Sequence, residues 1–66
     1  MKPKYPNILV NLSDCDGNAF SILGRVRKAM RRADIPETEI EQFSVEAMSG
    51  NYDHLLQTVM KTVETE

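Results

Sequence analysis

Residues 19–33, Ala19-Phe20-Ser21-Ile22-Leu23-Gly24-Arg25-Val26-Arg27-Lys28-Ala29-Met30-Arg31-Arg32-Ala33, decide the fold class. Placed about 100° apart, as on an α-helix, Ala19, Ile22, Leu23, Val26, Ala29, Met30 and Ala33 gather in one arc of roughly 120°. That stripe is wide enough to face a core. Arg25, Arg27, Lys28, Arg31 and Arg32 take most of the opposite side. Phe20 is the only large apolar residue among them, in line with Gly24, Arg27 and Arg31. The turn-forming run Ser13-Asp14-Cys15-Asp16-Gly17-Asn18 precedes the helix, and either Asp16 or Asn18 can cap it.

Toward the C-terminus the pattern repeats twice. Asp34, Pro36 and the capping-box spacing of Thr38 and Glu41 start a second helix between Asp34 and Thr38, over about 36–48. Ile40, Phe43, Ala47 and Met48 form its apolar side, and Val45 points away. Ser49-Gly50 ends it, with glycine expected in the left-handed position past a helix. Asn51 then caps a third helix over about 51–63, with Asp53 at the positive end of its dipole. Tyr52, Leu55, Leu56, Val59, Met60 and Val63 share one half of its wheel; His54, Gln57, Thr58, Lys61 and Glu64 share the other. The alternation in Val63-Glu64-Thr65-Glu66 lets the tail leave the helix as a short strand.

Toward the N-terminus, Ile8, Val10 and Leu12 alternate with Asn7, Leu9 and Asn11, the period-2 pattern of a strand over Asn7–Leu12 with one buried face. Pro3 and Pro6 keep its lead-in extended. A lone strand leaves its backbone groups unsatisfied, so this one pairs with the tail, pairs with another copy, or lies extended over the helices. The expected architecture is mainly α with minor β: one strand, three packed helices and a short C-terminal strand, in a single domain spanning residues 1–66.

Composition narrows the function. A chain of 66 residues can build a thin core but has little left to wall a deep cleft, so an enzyme acting alone is disfavoured. No apolar run reaches the roughly 18 residues of a membrane span, and Met1-Lys2-Pro3-Lys4 does not lead into a signal-peptide core, so a cytoplasmic address is expected and no membrane partner. With one cysteine there is no intrachain disulfide, which makes a homodimer the natural supplement to a small core. The net charge of −2 opposes general nucleic-acid binding. Yet five of the eight basic residues lie between Arg25 and Arg32, and Asp34, Glu37, Glu39, Glu41 and Glu46 follow.

Asp16-Gly17-Asn18-Ala19-Phe20, Ile22-Leu23-Gly24-Arg25-Val26, Ser49-Gly50-Asn51-Tyr52-Asp53-His54-Leu55-Leu56 and Tyr5-Pro6-Asn7 together resemble a widespread family of short uncharacterised bacterial and bacteriophage proteins. The resemblance covers nearly the whole chain. It departs at Asn51, where the family commonly has Asp, and at Thr62, where it commonly has an aromatic residue. It implies a bacterial or phage origin and a cytoplasmic address, and it carries no activity.

Candidate chemistry is sparse. Asp14-x-Asp16-Gly17-Asn18 hints at a calcium loop, but the glycine falls two positions early and Arg25 stands where the bidentate glutamate belongs. Cys15, His54 and Asp53 are residue types of a thiol catalyst, but His54 projects from the polar side of its helix and no oxyanion donors accompany it. No catalytic, cofactor or metal residue is assigned. The expected interaction surface is Phe20, Gly24, Arg27 and Arg31, flanked by Arg25, Lys28 and Arg32, and covered either by the chain's own strand or tail or by a second copy. The leading expectation is a small non-enzymatic accessory or protein-interaction module, its partner another protein or itself. The alternative is a nucleic-acid-binding module in which the basic face meets phosphates and Phe20 stacks on a base.

Overall fold

β1 (Tyr5–Val10) and β2 (Val63–Thr65) bracket three helices, α1 (Ala19–Arg32), α2 (Glu37–Ala47) and α3 (Tyr52–Thr62), in a computed structural model that describes residues 2–12 and 17–66. The chain is mainly α with minor β, as the periodicities predict. β1 begins and ends two residues earlier than the alternation alone places it, because its pairing with β2 starts at Tyr5.

Of the three partners open to the N-terminal strand, the tail takes the place. β1 and β2 run parallel, with Tyr5 opposite Val63, Leu9 opposite Glu64 and Val10 opposite Thr65, and an irregularity between the first two pairs. The ladder is extended at both ends: the Lys4 N–H donates to the Lys61 carbonyl at 2.8 Å and the Leu12 N–H to the Glu66 carbonyl at 3.2 Å. Parallel strands need a long crossover, and here all three helices supply it. Ile8, Val10 and Val63 turn into the core, where they meet Ile22, Leu23, Val26 and Met30 of α1, Ile40, Phe43 and Ala47 of α2, and Leu55 and Val59 of α3.

Local chemistry sets each helix end. The Asn18 side chain caps α1, its Oδ1 accepting from the Phe20 N–H at 2.8 Å. Asp16, the other candidate cap, lies outside the described residues, as do Ser13, Asp14 and Cys15 and the readings that rest on them. α1 ends in a Schellman arrangement, with the Ile35 N–H reaching the Met30 carbonyl and the Asp34 N–H the Arg31 carbonyl, both at 3.0 Å. The left-handed residue this motif needs is Asp34, at φ 63°. That turn, rather than the Thr38–Glu41 capping box, positions α2: Pro36 stands at its N-cap without a side-chain cap. Asn51 caps α3 as expected, accepting from the His54 N–H at 2.9 Å.

Gly50 corrects an expectation. Its φ is not positive; Gly17, at 84°, is the one described glycine in the left-handed region. What Gly50 supplies is room, since an added Cβ would sit 2.9 Å from the Cβ and Cγ of His54. Four residues assigned to apolar arcs are also more open than expected: Ala33, just past the end of α1, is exposed, and Met48, Tyr52 and Met60 are 46%, 45% and 53% exposed. The core is thin, and α2 and α3 bury only the centre of each stripe. Thr58, assigned to the polar half of α3, is instead buried. Its hydroxyl donates to the His54 carbonyl at 2.8 Å, so it enters the core already satisfied.

Candidate functional site

The basic helix divides its cations between two sides. On one side Ser21, Gly24, Arg25, Lys28, Ala29 and Arg32 form a wall facing Leu9, Val10 and Asn11 of the N-terminal segment, and the two enclose an open groove of about 590 Å³. A shallower continuation of about 280 Å³ runs back along Asn7, Ile8 and Leu9 toward Ala33. β1 is therefore antiparallel to α1, and the groove follows both.

The strand side of the groove is an open edge. The Glu66 N–H donates to the Val10 carbonyl and the Leu12 N–H to the Glu66 carbonyl, so alternation turns the backbone groups of Leu9 and Asn11 to the edge opposite β2. The sheet of described residues has only two strands. At the far end of the groove the Arg25 Nη1 donates to the Asn11 carbonyl at 3.3 Å. Leu9, 58% exposed, lies along the middle of the rim. Gly24 leaves the helix wall open: among the described residues nothing stands within 4 Å of where its Cβ would be. Neither β1 nor the tail crosses Gly24, so neither compensates the roughly 1 kcal/mol that glycine costs inside a helix.

Arg27 and Arg31 turn toward α2 instead. Arg31 grips Glu37 through two hydrogen bonds, Nη2 to Oε1 at 2.9 Å and Nε to Oε2 at 3.4 Å, and its guanidinium holds the Glu37 carboxyl below the usual glutamate range. Arg27 lines a hollow with Glu41, Ser44, Val45 and Met48. Its Nε is buried without a hydrogen-bond partner among the described residues. Phe20 is 70% exposed. The seven residues of the expected surface thus fall into a groove set of Gly24, Arg25, Lys28 and Arg32, an α2-facing pair of Arg27 and Arg31, and an exposed Phe20.

A second cluster has the composition of a hydrolytic site. His54 Nε2 lies 3.2 Å from Ser49 Oγ, 2.9 Å from the Glu46 carbonyl and 3.3 Å from Glu46 Oε2. Its arrangement is wrong for a relay. A triad sets the nucleophile on one ring nitrogen and the carboxylate on the other, whereas here every contact converges on Nε2. Ser49 also donates to the Glu46 carbonyl at 2.7 Å, so the cluster binds the end of α2 to the first turn of α3. Hydrogen bonds from Ser49 and then His54 hold the Glu46 carboxyl below its ordinary range.

A third network ties the N-terminal segment to α2. The Tyr5 hydroxyl donates to Glu39 Oε1, and Lys4 Nζ lies 3.2 Å from the same oxygen and 5.4 Å from the centre of the Tyr5 ring. The tyrosine hydroxyl first, and the ammonium beside it, hold the Glu39 carboxyl below the usual range. Among the described residues no group of His, Cys, Asp and Glu could hold a metal ion, and no helix is long and apolar enough to cross a membrane.

No family model, curated protein or solved structure matches this chain. Its function therefore has to be read from the groove. Gly24, Arg25, Lys28 and Arg32 belonged to the expected surface, but Leu9, Asn11 and Ser21 did not. The one signal for them in the sequence is Leu9, an apolar residue on the otherwise polar face of an alternating strand.

Proposed function

We propose that this protein is a small non-enzymatic interaction module whose contact surface is the groove between β1 and α1. One observation carries this reading. Lys28 and Arg32 line the groove without an ion-pair partner among the described residues, although acidic residues crowd α2 only a turn away in sequence. Arg31 and Glu37 show that this helix pair can neutralise its charges where the geometry brings them together. Cations without a described ion-pair partner, beside the outward-turned backbone groups of Leu9, are suited to a ligand that brings its own carboxylates and its own backbone.

Quantitative affinity capture from the cells that make the protein tests this, with wild type compared against the double variant Lys28→Glu/Arg32→Glu. Specific proteins retained by wild type, lost from the variant and insensitive to nuclease are the expected result. Identical retention by the two baits overturns the reading. The exposed Phe20 beside the basic face favours a second reading, nucleic-acid binding. Loss of the retained material on nuclease treatment establishes that reading in place of the first.

A further inference from the structure

We propose that the groove takes an extended acidic segment of a partner protein, which adds to the free edge of β1 as a third strand and sets carboxylates two residues apart against Lys28 and Arg32. This rests on the interaction-module reading above and names its ligand chemistry. Three features of the groove lead to it.

The first is dimension. From Asn7 to Asn11 the strand rim spans roughly 13 Å, and from Ser21 to Ala33 the helix wall spans roughly 18 Å. The space holds about five residues of extended chain. It stays open because Ser21, Gly24 and Ala29 bring no long side chain to the helix wall.

The second is the backbone. The Leu9 N–H and C=O face the groove, and an added strand satisfies them as β2 satisfies the groups of Val10 on the other edge. Leu9 itself offers an apolar contact to a residue of the incoming strand.

The third is charge. Along a strand, side chains on one face recur every two residues, roughly 6.6–6.8 Å, and the rise from Lys28 to Arg32 is roughly 6 Å. An acidic–any–acidic triplet therefore matches the two cations in register. A second copy of β1 is a poor occupant, because residues 2–12 contain Lys2 and Lys4 and no carboxylate. Of the acidic–any–acidic triplets among the described residues, Glu64-Thr65-Glu66 is already paired on the other edge of β1, and Glu37-Thr38-Glu39 and Glu39-Ile40-Glu41 are held in helix α2.

The probe is a fluorescein-labelled octapeptide of alternating glutamate and valine, followed by anisotropy, with a lysine–valine peptide and a sixteen-residue oligothymidylate as controls. The glutamate peptide is expected to bind and to weaken as salt rises, while the lysine peptide does not bind. Lys28→Glu and Arg32→Glu are each expected to weaken it by about five- to tenfold. Backbone pairing is tested on the ligand, so that no protein variant needs to fold: N-methylation of one alternate set of peptide amides abolishes binding, and methylation of the other set leaves it. Equal effects of the two sets overturn strand addition. Absence of binding by the glutamate peptide at low salt overturns the acidic ligand, and the module reading still stands if capture depends on Lys28 and Arg32. Binding of the oligothymidylate alone, with the same dependence on Lys28 and Arg32, overturns both.

Discussion

Asp34 holds a left-handed backbone conformation, φ 63°, at the point where α1 turns into α2. For a residue with a Cβ this costs roughly 1–2 kcal/mol, which Asp and Asn lessen by local hydrogen bonding, and glycine avoids it. The side chain of Asp34 is exposed and makes no described ion pair. Asp34→Gly is therefore expected to stabilise the protein by about 0.5–1 kcal/mol and to raise its melting temperature by about 2–8 °C, measurable by circular dichroism. An unchanged or lower melting temperature would show that the aspartate side chain supports the turn. The two turns between helices illustrate what residue types conceal. At Ser49-Gly50 the glycine signals a left-handed turn and instead accommodates the His54 ring. At Asp34 the left-handed turn is present and no glycine marks it. Type alone does not separate a need for φ from a need for space, since both are met by the same missing Cβ.

At the scale of elements, the helices were legible and the edges between them were not. Each helix lies within a residue or two of its periodic stripe, because burying that stripe is what makes a short helix stable. The strand's partner, by contrast, depended on whether Val63-Glu64-Thr65 stayed helical or became extended, and both patterns fit those few residues. The groove was hidden for the same reason. Gly24, Arg25, Lys28 and Arg32 can be read from helical spacing, but that they face an open strand edge depends on where β1 comes to rest. The core at the helix junction is the most sensitive part of the assembly. Ile40 is fully buried, and its truncation to alanine removes about 2–5 kcal/mol. A domain of this length has a total stability of roughly 3–10 kcal/mol. Ile40→Ala is thus expected to lower the urea midpoint by about a fifth at the least, and at the upper end of the range to unfold the chain outright. A midpoint within a tenth of wild type would mean that the helices do not share one cooperative core.

For the whole molecule, the described ion pairs all lie at the surface and set a pH window rather than a large stability. Glu37, Glu39 and Glu46 each have carboxyls held below the ordinary range, by Arg31, by Tyr5 and Lys4, and by Ser49 and His54. Their contribution is complete above the ordinary glutamate value of about 4.3 and is lost as pH falls through the lowered folded values. Lys4 and Tyr5 are raised, each chiefly by its hydrogen bond to Glu39. Their contribution is complete below about pH 10 and is lost as pH rises through the raised folded values. The melting temperature is expected to stay level between about pH 6 and 9, to decline below about 4.5 and again above about 10, and to flatten as salt screens the pairs. A sharp change between pH 6 and 7.5 would contradict this.

The parallel pairing of β1 with β2 also fixes when the protein can fold as it is made. Tyr5 meets Val63, so the strand synthesised first waits for residues that leave the ribosome last among those described. At about 5–20 residues per second, the interval is roughly 3–12 s. Through it α1 can form, but Ile8 and Val10 have no sheet to hold them and both edges of β1 stand open in a crowded cell. Folding is consequently a single late event that follows release of the segment containing β2, and nascent chains halted before Val63 should be captured by chaperones or degraded.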